Sequence, residues 1–240
     1  MRALELEILP QPDDETCGAT CLQAIYKYYG DELDLLKLIP QIPTLESGGT
    51  LAVMLGFHAL QRGYKATIYT YNLQVFDPSW FTPGTDLKAK LKAQLEYKSD
   101  QKVQWASVAY WKFLEKGGQI KFQELNRKLL RKYLDQNIPI ITGLNATYLY
   151  RWPREINNEF DDLRGQPMGH FVVLRGYDEE TREIAVADPL RVNPFENQLY
   201  TVNIDRVINS IMLGIMTFDA NFLVIEKPDG QPPSDSPKTA

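Results

Sequence analysis

Residues Gln11 to Gly30 read QPDDETCGATCLQAIYKYYG. From Cys17 to Tyr29 the apolar side chains of Cys21, Leu22, Ile25, Tyr28 and Tyr29 recur as on a helix with one buried stripe, and Gly30 stops it. Asp13, Asp14, Glu15 and Thr16 offer acceptors that could cap the N–H groups at the helix start. Cys17 thus falls in the first turn, where unpaired N–H groups and the positive end of the dipole favour thiolate over thiol. Gly18 lets another backbone or a substrate come close. Cys21, one turn on and on the apolar stripe, reads as a packing residue. For Cys17, preceded by a polar run, spacing alone leaves both a reactive and an inert thiol open.

The two cysteines are a poor disulfide pair, because both Cβ vectors leave the helix in the same direction. They are a poor metal site as well. The only histidines are His58 and His170, and no second cysteine pair completes a tetrahedron. His58, inside VMLGFHALQRG, reads as a packed or half-exposed helix residue. His170 follows Gly169 and opens the buried strand FVVL, a place where a strand fixes a side chain that still reaches solvent.

Downstream, EIAVADP ends a strand at Asp188, and the turn DEETR pairs it with the strand of His170. A loop of three or five residues centred on Glu180 puts His170 and Asp188 on one face as diagonal neighbours. A four-residue loop puts them on opposite faces, unless a bulge intervenes. Asp188 also reads as an ordinary turn residue before Pro189. Gln11, six residues before Cys17, could donate to an oxygen held by the Cys17 N–H, or lie on the surface.

Working outward, Leu33–Ile39 and Thr50–Arg62 read as helices and Tyr64–Tyr71 as a strand. In residues 72–120, Pro78 and Pro83 mark loops, and Asp86–Tyr97 and Val103–Lys116 look helical, so this stretch reads as a helical insertion or subdomain. Phe122–Gln136 is a periodic helix and Ile138–Leu144 a buried strand. Strands follow at Phe171–Gly176, Glu183–Asp188, Gln198–Asn203 and Phe222–Glu226. The expectation is an α+β fold in one domain over residues 1–227, its N-terminal helical part packed on a mainly antiparallel C-terminal sheet. The Pro-rich segment 228–240 reads as a disordered tail. Such a fold brings the helix start at Cys17 to one end of the sheet.

Composition narrows the partners. With 31 acidic and 26 basic side chains the net charge is −5, which does not attract phosphate backbones, so nucleic acid is not expected. The basic stretches Lys88–Lys102 and Arg127–Lys132 are interleaved with acidic and apolar residues and read as solvated helix faces. There is no secretory signal pattern and no apolar run long enough for a membrane helix, which makes a cytoplasmic location the expectation.

Together these residues resemble the papain-like cysteine peptidases, most closely the bacteriocin-processing peptidases that cut double-glycine leader peptides and their free-standing relatives. The matching segments are Gln11–Gly30 and GHFVVLRGYDEETREIAVADP, Gly169–Pro189, with FQELNRKLLRKYLDQNIPIITGL between them. The resemblance implies Cys17 as nucleophile, His170 as general base and then acid, Asp188 as its orienter and Gln11 as oxyanion donor. It also implies a peptide or protein substrate and no metal or organic cofactor. Residues 72–120 match nothing in that pattern, and the membrane and nucleotide-binding segments of leader-processing transporters are absent, so double-glycine specificity is not implied. Acyl transfer from the same thioester, or a binding module that has lost catalysis, are the alternatives. Substrate choice is expected in the loop Asn145–Gly169, as a lid or specificity loop, where Tyr148, Tyr150 and Trp152 could grip an extended chain beside Gly18 and Gly169; an ordinary packed surface loop is the plainer reading.

Overall fold

The computed structural model describes residues 2–45 and 48–228. The chain opens with the short strand β1 (Arg2–Ala3), followed by the helices α1 (Cys17–Tyr28), α2 (Leu35–Leu38) and α3 (Ala52–Gln61) and the strand β2 (Lys65–Thr70). Helix α2 is shorter than expected because the Asp34 side chain caps it at the Lys37 N–H and Pro40 turns its end into a 3-10 segment at Ile39–Gln41. Two more helices follow, α4 (Leu87–Ala93) and α5 (Gln101–Glu115), each capped by an aspartate, Asp86 and Asp100. Then come β3 (Gln119–Lys121), α6 (Arg127–Leu134), β4 (Ile140–Asn145) and α7 (Ala146–Tyr150). The periodic run beginning at Phe122 becomes helical only at Arg127, because the Asn126 side chain caps the Leu129 N–H and fixes the start there.

The last third holds the hairpin β5 (Glu155–Ile156) and β6 (Glu159–Phe160), then β7 (Gly169–Asp178), β8 (Glu183–Ala187) and β9 (Leu199–Asn203), the helix α8 (Ile204–Leu213), and β10 (Asn221–Glu226). The expected tail lies outside the described residues from residue 229 onward.

One sheet organises these elements, in the order β3-β2-β10-β4-β7-β8-β9, with β1 pairing β7 beyond the reach of β4. Every pairing is antiparallel except β2 with β3. The fold is thus α+β with a mainly antiparallel sheet, as expected. The sheet is not confined to the C-terminal half, however, because β2 pairs β10 along its whole length.

Both faces of the sheet are covered. Alternate residues of β7 and β10 divide accordingly: Phe171, Val173, Leu223 and Ile225 pack with α1, α3 and α5, whereas Val172, Leu174, Phe222 and Val224 pack with α6, α7 and α8. The helices of residues 72–120 belong to the first of these cores. Phe113 of α5 is fully buried and fills the notch that Gly56 leaves in α3, where a Cβ would come within 2.9 Å of its ring.

Candidate active site

Two contacts dock α1 on β7, and both land on Phe171, the neighbour of His170. A Cβ on Gly18 would lie 3.3 Å from the Phe171 ring and 2.7 Å from the Thr50 side chain, so only glycine permits this approach. The Cys21 thiol donates to the Phe171 carbonyl at 3.3 Å. The helix start is thereby fixed beside the first residues of β7. The space at Gly18 is filled by the protein's own Thr50, and that at Gly169 by Thr217, so neither glycine leaves an opening for substrate above its Cα.

The expected capping does not occur. Thr16 sits at φ −100°, ψ 10° rather than in the extended conformation a cap requires, and no side chain caps α1. Asp13 and Thr16 instead hydrogen-bond each other, and Asp13 takes the Glu15 N–H. The first-turn N–H groups of α1 are left uncapped at the point where Cys17 stands.

His170 and Asp188 meet through an irregularity. The loop between β7 and β8 has four residues, 179–182, because Asp178 pairs Glu183. Continued regularly, that register would put His170 and Asp188 on opposite faces. The pairing slips at Arg175, so that Val173 stands opposite Ala187 and the alternation of Ile184 and Val186 carries Asp188 to the His170 face. The His170 Nε2 donates to Asp188 Oδ1 at 2.8 Å. A carboxylate only accepts, so Nε2 bears hydrogen and Nδ1 is the nitrogen left free of Asp188, in a ring that also feels the nearby Cys17 sulfur.

Cys17 keeps 9% of its surface exposed, against none for Cys21, so only the first is open to a reagent. Burial pushes the Cys21 thiol well above its ordinary range, with the charges of Cys17 and Asp188 adding to it. Burial also works against a charged His170. The Asp188 carboxylate, their hydrogen bond and the influence of the nearby Cys17 outweigh it and push the imidazole up to about 10. Asp188 is itself fully buried. Burial lifts its carboxyl, but the His170 charge, the bonds from His170 and Tyr150 and the Leu190 N–H hold it below the usual carboxylate value.

Two side chains around Asp188 escape a reading of the sequence for nucleophile and base. Tyr150 and Tyr200 both donate their hydroxyls to Asp188 Oδ2, at 2.6 and 2.8 Å. Tyr150 is therefore no gripping surface: it is buried, with the Trp152 ring tilted against it at 4.9 Å between centroids. Tyr200 could have been found from strand pairing, since Val186 faces it and Asp188 is its diagonal neighbour. Tyr148 is 42% exposed.

Gln11 reaches the same corner through its backbone, which donates to Pro189 O at 2.9 Å. Its side-chain amide donates to Asp13 O at 2.8 Å, and its Oε1 is buried without a partner. The long segment after Asn145 is folded rather than loose. The tip of its hairpin, at Asn158, donates to Asp14, three residues before Cys17. His58 is packed away between Tyr26 and Gln41, as expected. Among the described residues, no group of three or more His, Cys, Asp or Glu side chains could hold a metal, and no helix is long and apolar enough to cross a membrane.

Comparison with solved structures shows a C39-like peptidase from Bacillus anthracis at 14% identity, covering 95% of this chain and 98% of that one, with a TM-score of 0.52. A double glycine motif protease from an AMS/PCAT transporter, solved with its leader peptide, follows at 14% identity, 94% coverage of each chain and a TM-score of 0.46. The peptidase domain of Streptococcus ComA stands at 13% identity, 93% and 100% coverage and 0.44. No curated protein matches. The first likeness is one of fold, and that fold is papain-like. The profile of the Peptidase_C39 like family matches residues 3–203, a span that holds Cys17, His170, Asp188, Tyr150 and Tyr200, and this chain belongs to that family.

Proposed function

We propose that this protein is a cysteine peptidase or amide hydrolase that works through a thioester on Cys17. The observation that carries the reading is the hydrogen bond of His170 to the buried Asp188 carboxylate, with the Cys17 sulfur at the uncapped start of α1 acting on the same imidazole. In this scheme the Cys17 proton already rests on His170 Nδ1, in keeping with an imidazole pushed up to about 10, and the thiolate attacks the carbonyl carbon of a peptide substrate. The resulting oxyanion sits at the uncapped first turn of α1, against the Cys17 N–H. Gln11 is the second donor in the proposal: one hydrogen of its amide goes to Asp13 O, and the other is assigned to the oxyanion. Collapse breaks the C–N bond, and the departing amine takes its proton from His170. Water then gives a proton to His170 and attacks the thioester, and the carboxylate product leaves as the Cys17 thiolate and the protonated His170 are restored. The scheme needs no cofactor.

Asp188 orients the ring and stabilises the imidazolium, and Tyr150 and Tyr200 are positioning residues that hold the carboxylate itself. Exposed Tyr148 remains a candidate substrate contact, whereas Trp152, tilted against Tyr150 and edge-on to Phe160, supports the wall.

A peptide vinyl sulfone incubated with the pure protein and read by intact and peptide mass spectrometry tests the scheme. One adduct on Cys17, absent from Cys17→Ala and from His170→Ala, is expected. A folded protein that forms no adduct with any member of a varied peptide panel would identify it as a binding module without catalysis.

A further inference from the structure

Between α7 and α8 lies a cavity of about 690 Å³ whose lining includes none of Cys17, His170 and Asp188. Its walls carry three arginines, Arg151, Arg154 and Arg206, and one carboxylate, Asp205. That carboxylate is already neutralised, because Arg127 grips both of its oxygens. Arg154 donates to the backbone carbonyls of Asp162 and Leu163, which carry no charge, and lies in the field of Asp161, which Arg164 holds. Among the described residues Arg151 and Arg206 form no ion pair. On a chain of net charge −5, this is a local excess of positive charge, not the reflection of a basic protein.

The position of Arg151 sharpens the point. It ends α7 at φ +58°, in the left-handed conformation for which glycine or asparagine is the usual residue. Beside it, Tyr148 and Met216 line the same cavity and are 42% and 63% exposed, so the charged wall has an apolar floor for side chains. The chain segments that line the cavity also hold the proposed catalytic corner. Helix α7 gives Tyr148 and Arg151 to the cavity and Tyr150 to Asp188, and Pro167 in the cavity wall stands three residues before His170.

We propose that this groove is an exosite for an acidic stretch of the peptide substrate. Arg151 and Arg206 pair with its carboxylates, and Tyr148 and Met216 cover its neighbouring apolar side chains. The proposal deepens the peptidase reading and rests on it, and its test separates the two.

In the first arm, the Cys17→Ala protein is titrated into a fluorescein-labelled peptide Glu-Ala-Glu-Tyr-Glu-Ala, and into its counterpart with glutamine for glutamate, and anisotropy is followed. At low salt the acidic peptide binds at least about tenfold more tightly. The difference collapses near 1 M salt, where the screening length falls to about 3 Å. The double variant Arg151→Gln/Arg206→Gln, confirmed folded by circular dichroism, loses it as well, and Arg151→Lys/Arg206→Lys restores part of it. In the second arm, a fluorogenic peptide carrying the acidic segment is cleaved by the otherwise wild-type protein. The glutamine variant raises KM with kcat unchanged, and has no effect on the same peptide without that segment. Equal binding of the two labelled peptides, or full affinity in the folded glutamine variant, overturns the exosite. A single-stranded DNA of the same charge that binds as tightly overturns its assignment to peptide. Binding as expected with no cleavage of any peptide overturns the peptidase reading and leaves an acidic-peptide site.

Discussion

Asp188 accepts four hydrogen bonds on two oxygens: His170 and the Leu190 N–H on Oδ1, and the hydroxyls of Tyr150 and Tyr200 on Oδ2. A buried carboxylate so satisfied can stay ionised without solvent. Removing one hydroxyl leaves part of that charge unmet, at about 1.5–3 kcal/mol for a bond to a charged group. Tyr150→Phe and Tyr200→Phe are each expected to lower kcat/KM about tenfold, and to move the acidic limb of its pH profile upward as the Asp188 carboxyl becomes easier to protonate. Unchanged profiles in both variants would remove the tyrosines from the account. The same residues set a sign for stability. The His170 imidazole is raised from 6.5 to about 10, so the stability it contributes is complete below pH 6.5 and is lost as pH rises toward 10. Denaturant titrations at pH 6 and pH 9 should show wild-type protein weaker at the higher pH. In Asp188→Asn, where burial is left to act on the ring, that component of the loss is expected to vanish.

The β7–β8 hairpin decides the site at the level of elements, and it marks where the sequence could and could not be read. Cys17 on a helix start and His170 on a strand start were legible, because periodicity and flanking glycines announce them. The four-residue loop was not, and by itself it would have separated His170 from Asp188. The one-residue slip at Arg175 that reunites them has no local signature, since the backbone and side-chain bonds of Arg175 go to Leu4 at the far end of the chain. Deleting Arg175 should therefore abolish peptide cleavage by turning Asp188 to the other face, with most of the far-UV circular dichroism retained; activity in that variant would contradict the geometry. Gly176, next to the slip, offers the complementary test. A Cβ there would meet Arg2 O at 2.3 Å and Ala3 Cα at 2.5 Å, so Gly176→Val should expel β1 and cost about 1–3 kcal/mol of stability, with the catalytic residues in place. Other elements were missed for related reasons. Helix α8 is bounded by an Asn203 cap whose role depends on the strand before it, and β3 is a three-residue edge whose pairing with β2 is purely tertiary.

Across the whole molecule, one sheet separates two cores, and the proposed chemistry lies where the edge of one core meets the other. The class of fold was legible from helices preceding strands, but the recruitment of β2 and β3 into the sheet was not, because strand order is fixed by partners distant in sequence. Residues 72–120, which match nothing in the motifs of the sequence, lie inside the span of the family model and are built into the first core through Phe76, Tyr110 and Phe113. We therefore propose one domain over residues 1–227. Phe113→Ala should cost about 3–5 kcal/mol and broaden or lower a single unfolding transition, as expected of a shared core. A separate early transition confined to α4 and α5 would show an independent subdomain.

Selective alkylation probes the proposed activation of Cys17 by His170. Native protein is treated with limiting iodoacetamide near neutral pH, and the modified cysteine is identified by peptide mass spectrometry as a function of time. The account predicts one rapid adduct on Cys17, slowed at least about tenfold in His170→Ala, with Cys21 untouched until the protein is unfolded. Equal and slow labelling of the two cysteines, or a Cys17 rate indifferent to the loss of His170, would contradict it.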